Sequence, residues 1–191
     1  MIRELNVIRK HGRASYLHIA LAYPSTYVAG MSSLVTHLLY FLLNSYDEVI
    51  AERVFHSYPE GIKVLKLRSL EWNRRLRDFD IVLFSVHYEL DYANIVEMLY
   101  EANIPVFSRD RGEKDPVVIV GGSSVTANPE PLADIADAIV IGEAEGVVES
   151  IVEKYFSAKK RRIPVHLYKK YREMFTSIDI IEKGKLRFKE L

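Results

Sequence analysis

A serine, a histidine and an acid stand at alternate positions of the segment FSVHYELDY, as Ser85, His87 and Glu89. Alternate side chains of an extended segment point to one side, so these groups could act together as nucleophile, base and acid. A serine nucleophile of this kind requires the strained turn of a G-x-S-x-G motif, which the segment lacks. Metal binding would require further ligands, and no other pair of histidine and carboxylate has suitable spacing. The segment alone therefore favours packing or ligand contact over catalysis.

Two consecutive glycines, Gly121 and Gly122, end an apolar run and begin the segment GGSSVTANPEPLAD. Because glycine has no Cβ atom, the flat face or the phosphate of a ligand could approach the backbone closely there. The same pair could instead form only a tight turn. Small hydrogen-bonding side chains follow the pair, at Ser123, Ser124, Thr126 and Asn128.

The segment IGEAEG places two carboxylates, Glu143 and Glu145, at the expected start of a helix. Negative charge is favourable beside the positive end of a helix dipole, so capping is the simpler interpretation and catalysis the alternative. Neither the glycine spacing of a dinucleotide-binding turn nor the lysine of a phosphate-binding loop occurs. Nucleotide binding therefore lacks its usual sequence support.

The composition limits the classes of function. The chain has 191 residues, 26 basic and 26 acidic side chains, and 49% hydrophobic residues. This apolar content excludes global disorder, and the balanced charge argues against nucleic acid as a partner. No apolar run approaches the roughly 18 residues of a membrane span, so no membrane partner is expected. The first residues lack the apolar core of a secretory signal, which predicts a cytoplasmic protein.

Cysteine is absent from the sequence. This excludes disulfides, thiolate zinc sites, cysteine nucleophiles and any iron–sulfur cluster held by thiolates of this chain. Glutamine is also absent, while lysine, arginine and glutamate are plentiful. That bias is typical of proteins from hot environments, and it predicts nothing about function.

Short, continuous apolar runs bounded by turn residues predict buried strands of a parallel sheet. Longer runs with leucine or other apolar residues at helical spacing predict helices between them. Residues 62–79 remain ambiguous between a short strand and an extended arm. The expected strands are 16–22, 49–55, 81–88, 117–122 and 138–142, and the expected helices are 31–46, 91–103 and 145–156.

This order predicts an α/β fold, a Rossmann-like or flavodoxin-like doubly wound parallel sheet with helices on both faces. Ligands of such sheets bind beyond the carboxyl ends of the strands, so we expect the site in loops 23–30, 85–91, 121–130 and 142–146. A boundary near residue 158 would divide this domain, residues 1–158, from a basic connector and extension, residues 159–191. In the extension we expect a small helix at 167–175 and a hairpin that turns at Lys183 and Gly184.

The chain resembles the N-terminal cobalamin (vitamin B12)-binding-type domain of cobalamin-dependent radical S-adenosylmethionine (SAM) proteins. The similar segments are YPSTYVAGMSSL, LRDFDIVLFSVHYEL, ANIPVF and VVIVGGSSVTANPEPLADIADAIVIGEAE, within about residues 16–157. The most specific of them is GG-x-x-x-T-x-N-P-E-P, followed by I-G-E-x-E. The resemblance implies a domain that holds a cobalamin.

Cobalamin domains of the methionine-synthase and mutase type carry D-x-H-x-x-G after the first strand. When the motif is aligned on Gly30, this chain has Ser25 in place of the aspartate and Tyr27 in place of the histidine that binds cobalt. A phenol with a pKa near 10 is a poor substitute for a neutral imidazole. The resemblance therefore implies cobalamin without a protein histidine on cobalt, or a pocket that has lost the cofactor.

The same family has S-x-L after the third strand and G-G after the fourth. Ser85 matches the serine, His87 replaces the leucine, and Gly121 and Gly122 match the glycine pair. The resemblance implies that the nucleotide tail enters beside the glycines and that the corrin covers loops 23–30 and 85–91. The residues implied to bind the cofactor are Ser25, Tyr27, Gly30, Ser85, His87, Tyr88, Gly121, Gly122, Ser123, Thr126 and Glu143.

The family also holds a [4Fe–4S] cluster with a C-x-x-x-C-x-x-C motif, which this chain lacks. The cluster and SAM are therefore expected in a partner domain or subunit, and no catalytic residue or metal ligand is predicted in this chain. The leading hypothesis is a cobalamin-binding module of a radical SAM enzyme system, for which a homo-oligomer is also possible. The alternative is a cofactor-free domain that docks a radical SAM partner, with a crevice filled by its own Tyr23, Tyr27 and Tyr88. The weakest hypothesis is a self-contained enzyme that uses His87 and Glu89 as acid and base.

Overall fold

The computed structural model of this chain describes Glu4 and residues 7–12, 16–59, 66–142, 144–160, 179–182 and 185–188. Strands and helices alternate along most of these ranges. The strands are β1 (Leu17–Thr26), β2 (Val49–Ser57), β3 (Ile81–Ser85), β4 (Val117–Gly121), β5 (Ala138–Ile141), β6 (Asp179–Glu182) and β7 (Lys185–Phe188). The α-helices are α1 (Tyr27–Met31), α2 (Leu34–Ser45), α3 (Asp91–Glu101), α4 (Ser123–Ala127) and α5 (Glu145–Lys160).

The strands form one sheet with the order β2-β1-β3-β4-β5-β6-β7. Strands β1 to β6 run parallel, and β7 pairs antiparallel with β6. The order 2-1-3-4-5 of the first strands is that of flavodoxin-like doubly wound sheets. The predicted α/β fold is confirmed. Strands β6 and β7 pair as the predicted hairpin requires, and its predicted turn at residues 183 and 184 lies outside the described residues.

Along strands β1 to β5 both faces of the sheet are buried, which explains the long apolar runs of these strands. One face packs on α2 and α5 through residues such as Ile19, Leu83 and Val140. The opposite face packs on α3 through residues such as Val82 and Phe84. The helices therefore flank the sheet on both sides, as a doubly wound topology requires.

The predicted helix 31–46 corresponds to α2, which begins only at Leu34, because two serines separate it from the short preceding helix α1. The Ser32 hydroxyl donates to the carbonyl of Val28 at 2.7 Å, and Ser33 is the N-cap residue of α2. Serine side chains compete in this way with the backbone hydrogen bonds of a helix. Strand β1 extends through Pro24, where its pairing with β2 shifts register.

The described part of the ambiguous segment, residues 66–79, forms neither a ladder strand nor an extended arm. It is an arm of consecutive turns over the free edge of β2, with an isolated bridge between Arg68 and Arg75 and a short 3₁₀ helix at Leu76–Asp78. The amide of Leu70 donates to the carbonyl of Arg53 in β2 at 2.9 Å. The carboxylate of Glu71 accepts from the amide of Arg53 at 2.8 Å and from its Nε at 2.7 Å. The arm thus satisfies backbone groups that an exposed edge strand would leave unpaired.

The expected C-terminal division is described only in part. The predicted helix 167–175 lies outside the described residues, and α5 continues to Lys160, past the predicted boundary at 158. Strands β6 and β7 extend the sheet beside β5. The division into two units stays a prediction. In the described ranges, no helix combines the length and apolarity that a membrane crossing needs.

A buried ion pair stabilises the amino end of the sheet. Nη1 of Arg111 lies 2.5 Å from Oδ2 of Asp137, and both side chains are fully buried. The guanidinium also donates to the carbonyls of Pro105 and Val106, each at 2.9 Å. The same carboxylate oxygen accepts from the amide of Val118 at 2.8 Å. One ion pair therefore connects the loop after α3 to the start of β4 and to the segment before β5.

We expect Arg111→Met to lower the free energy of unfolding by about 3–5 kcal/mol, because removal of one partner leaves a buried charge uncompensated. Urea unfolding monitored by circular dichroism measures the loss. Arg75→Met is the matched control: Arg75 pairs with Asp78 at the surface, and we expect no measurable change there. Equal effects of the two variants would contradict the stabilising role of the buried pair.

Candidate functional site

A crevice of about 600 Å³ opens beyond the carboxyl ends of β3, β4 and β5, between α2 and α5. Its volume lies within the range of roughly 300–1,000 Å³ that is typical of small-molecule sites. The walls are mainly apolar, and polar groups lie on the floor. Its lining includes Val35, Leu38 and Leu39 of α2, Ala144 just before α5, Val147, Val148 and Ile151 of α5, and Leu83, Phe84 and Val140 of the sheet.

The glycine pair forms part of the floor. A Cβ atom on Gly121 would lie 3.0 Å from the Cβ of Val140, tighter than most such contacts. Gly122 has a φ of +123°, and a Cβ there would lie 2.2 Å from the carbonyl oxygen of Val86. The second glycine is thus required by the close approach of the loop after β3, whether or not a ligand binds.

Four predicted polar side chains line the crevice, namely Ser85, His87, Ser123 and Thr126. Nε2 of His87 lies 3.3 Å from the hydroxyl of Ser85 and 3.4 Å from that of Ser33. The hydroxyl of Thr126 accepts from the amide of Gly142 at 3.1 Å. The loops after β3, β4 and β5 therefore meet at one edge, as expected for parallel strands.

His87 is held between the sheet and the start of α2. Its ring stacks on that of Tyr23 with 5.6 Å between centroids. Burial lowers the pKa of His87 below its ordinary value of 6.5, although the nearby Asp91 carboxylate opposes the shift. The imidazole is therefore favoured in its neutral form, which can both donate and accept a hydrogen bond.

The carboxylate whose charge acts to raise the pKa of His87 is that of Asp91, the first residue of α3, and not that of the exposed Glu89. Burial raises the pKa of Asp91, while its hydrogen bond with Asn94 opposes the shift. Its Oδ2 is buried and has no hydrogen-bond partner among the described residues. The predicted acid–base pair of His87 and Glu89 thus has less support than a pair of His87 and Asp91.

Tyr27 and Gly30 of α1 lie outside the crevice lining and pack in an aromatic cluster with Tyr23 and Phe55. The Tyr27 hydroxyl donates to Oε1 of Glu4 at 2.6 Å, and its ring meets that of Phe55 edge-on at 5.3 Å. Burial, with the hydrogen bond to Glu4, raises the pKa of Tyr27 to about 12. A Cβ on Gly30 would lie 2.4 Å from the Phe55 ring. These two residues are packed by the fold itself.

The remaining predicted residues are dispersed. Ser25 is half-buried near the end of β1, and Tyr88 is 69% exposed on the loop after β3. Neither of them lines the crevice. Glu143 lies outside the described residues. In the part of the chain that the structure describes, no group of three or more histidine, aspartate or glutamate side chains could hold a metal ion.

Sequence reasoning missed the helical walls of the crevice. Val35 and Leu38 follow the same helical spacing as the core residues Leu39 and Leu43 of α2. A helix face that packs on a sheet and one that lines a cavity have the same apolar pattern. No signal in the sequence could separate the two roles.

The lowered pKa of His87 predicts a pH dependence of stability. As the pH falls below about 6.5, His87 binds a proton more readily in the unfolded chain than in the folded chain. The free energy of unfolding therefore decreases. We expect His87→Gln to lose less stability than wild type over this interval, measured as the urea midpoint against pH. Tyr88→Gln, a change in the same loop, should retain the wild-type dependence. Parallel curves for wild type and His87→Gln would contradict the assigned shift.

A curated protein of Methanocaldococcus jannaschii, named uncharacterized protein MJ0966, is 25% identical to this chain over 158 residues. The match covers 82% of this chain and 30% of that protein, so the chain spans about a third of its relative. No solved structure matches.

A family model described as the N-terminal part of radical SAM proteins matches residues 35–177. The matched range includes the polar floor of the crevice and both of its helical walls. The chain therefore belongs to the family of N-terminal domains of radical SAM proteins.

Proposed function

We propose that this domain holds a cobalamin for a radical SAM domain or subunit. The crevice would hold the nucleotide tail, and the corrin would lie over its mouth. The observation that carries the proposal is the open crevice of about 600 Å³ beside Gly121 and Gly122, at the carboxyl edge of the sheet. A doubly wound sheet binds its ligands at this edge.

The lining suits a cobalamin tail, which combines an aromatic base with a ribose and a phosphate. The apolar residues of α2 and α5 can enclose the base. The hydroxyls of Ser123 and Thr126 can donate to the phosphate, as can the neutral imidazole of His87. Apolar walls with a few placed polar groups are typical of cofactor sites.

The cobalt would have no histidine ligand from the loop after β1. Tyr27 stands at that position, and its buried hydroxyl donates to Glu4. Because the pKa of Tyr27 is raised to about 12, the side chain remains a neutral phenol, a weak ligand for a metal. The residues present therefore fit the tail of the cofactor better than they fit its metal.

The radical chemistry would belong to another domain or chain. This chain has no cysteine to hold a [4Fe–4S] cluster, and it spans 30% of the length of its relative. Cobalamin itself would supply the chemistry at cobalt. The contribution of this chain would be to bind the tail, orient the corrin and exclude water from the crevice.

A cofactor-free docking domain is the second candidate. It is favoured by an apolar stripe on α2, where Leu34 is 80% exposed, Leu38 42% and Phe41 43%. That hypothesis also expects the crevice to be filled by Tyr23, Tyr27 and Tyr88, and none of these residues lines it. The open crevice therefore supports cofactor binding more strongly.

Hydroxocobalamin added without oxygen should bind to the wild type and remain with it through gel filtration, detected by its visible absorption. We expect Ser123→Trp to abolish this retention, because its indole would occupy the floor of the crevice. Ala127→Trp is the matched control, since Ala127 is exposed on the same helix and does not line the crevice. Gly122 is unsuitable for this test because any side chain there would strain the fold.

Absence of retained cobalamin at high micromolar concentration, in a folded wild type, would contradict the proposal. Equal loss in Ser123→Trp and Ala127→Trp would show that the crevice is not the binding site. The docking hypothesis instead expects Leu34→Asp to weaken association with a radical SAM partner and Ser123→Trp to leave it unchanged.

A further inference from the structure

A second cavity, of about 430 Å³, lies between residues 10–12, the strands β1 and β2, and the arm over β2. None of its lining residues lines the crevice. The cavity is lined by Lys10, His11, Gly12, His18, Ile50, Glu52, Trp72 and Arg74. It combines cationic side chains with one aromatic surface.

Lys10 and Arg74 supply positive charge to this cavity. The ammonium of Lys10 donates to the carbonyls of Tyr46 at 2.7 Å and Val49 at 3.2 Å, which uses two of its three donors. Burial lowers the pKa of Lys10, opposed by the charge of Asp47. The desolvated ammonium is thus fixed in place and retains a donor for an anion.

The guanidinium of Arg74 is held by Glu52, whose fully buried carboxylate accepts from its Nε at 3.1 Å. Glu52 also accepts from the hydroxyl of Ser69 at 2.5 Å. Within the described ranges, the terminal nitrogens of Arg74 have no acceptor. The lining thus carries two cations against one carboxylate that is already bound.

Trp72 provides the aromatic surface and is 41% exposed. The His11 ring lies 4.9 Å from it, and the guanidinium carbon of Arg9 lies 5.9 Å from its centroid. Aromatic rings flanked by basic side chains bind nucleobases by stacking, while the cations attract the phosphate. A ligand that joins a planar aromatic base to a phosphate matches both features of this cavity.

We propose that this second cavity binds a mononucleotide, with its phosphate at Lys10 and Arg74 and its base against Trp72. The site uses neither a glycine-rich loop nor a helix N-terminus, so the motifs of common nucleotide sites would not reveal it. The proposal does not depend on cobalamin binding, because the two cavities share no lining residue.

Trp72 is the only tryptophan of the chain, so indole fluorescence reports this cavity directly. We expect AMP to change the fluorescence of Trp72 saturably, with excitation where adenine does not absorb. Loss of a charged hydrogen bond costs about 1.5–3 kcal/mol, so Lys10→Met should raise the dissociation constant about tenfold or more. Lys114→Met, at an exposed lysine outside the cavity, should leave it unchanged.

Adenosine and inorganic phosphate, tested separately, should each bind more weakly than AMP, because each lacks one half of the ligand. Added salt should weaken the binding of AMP more than the binding of adenosine, and this comparison needs no variant. A fluorescence change that does not saturate would overturn the proposal. So would equal dissociation constants for AMP in Lys10→Met and Lys114→Met, or a salt effect of the same size on AMP and adenosine.

Discussion

The close approach of two backbone segments at Gly122 sets the geometry of the candidate site. A side chain on this residue would collide with the carbonyl of Val86, and the amide of Val86 donates to the carbonyl of Gly121 at 2.8 Å. The loops after β3 and β4 are thereby held against each other. Because of this contact, Ser85 and His87 lie on the same floor as Ser123 and Thr126. The crevice is therefore a direct result of how two neighbouring strands end.

The space above that floor results from the sheet and its crossover helices. Strand order 2-1-3-4-5 places α2 over β1 and β2, and α5 packs on the same face of the sheet. Two helices on one face of a broad sheet leave a gap between them at the strand ends. Since both helices present apolar residues to this gap, a bound molecule would contact apolar side chains on two sides. On the opposite face, α3 packs with the sheet in a second cluster of buried hydrophobic residues.

The fold could be predicted from the sequence because strands β1 to β5 are short apolar runs and the helices between them carry apolar residues at helical spacing. The polar floor could also be predicted, since parallel strands bring the loops after them to one edge. Contacts between residues distant in the sequence could not be predicted. The residues around Tyr27 in the sequence do not indicate that its hydroxyl donates to Glu4. The residues around His87 likewise do not indicate that the carboxylate acting on its pKa is that of Asp91 and not that of Glu89. Both depend on how loops pack, which no local pattern encodes.

The contact between Glu4 and Arg53 also bears on how the chain acquires its structure. Oε2 of Glu4 accepts from the guanidinium of Arg53 at 2.7 Å, across 49 positions of sequence, while Glu71 holds the other side of that guanidinium. Glu4 is synthesised well before Arg53 and Glu71. Its final place is available only after β2 has joined the sheet, so a segment that precedes β2 in synthesis settles after it.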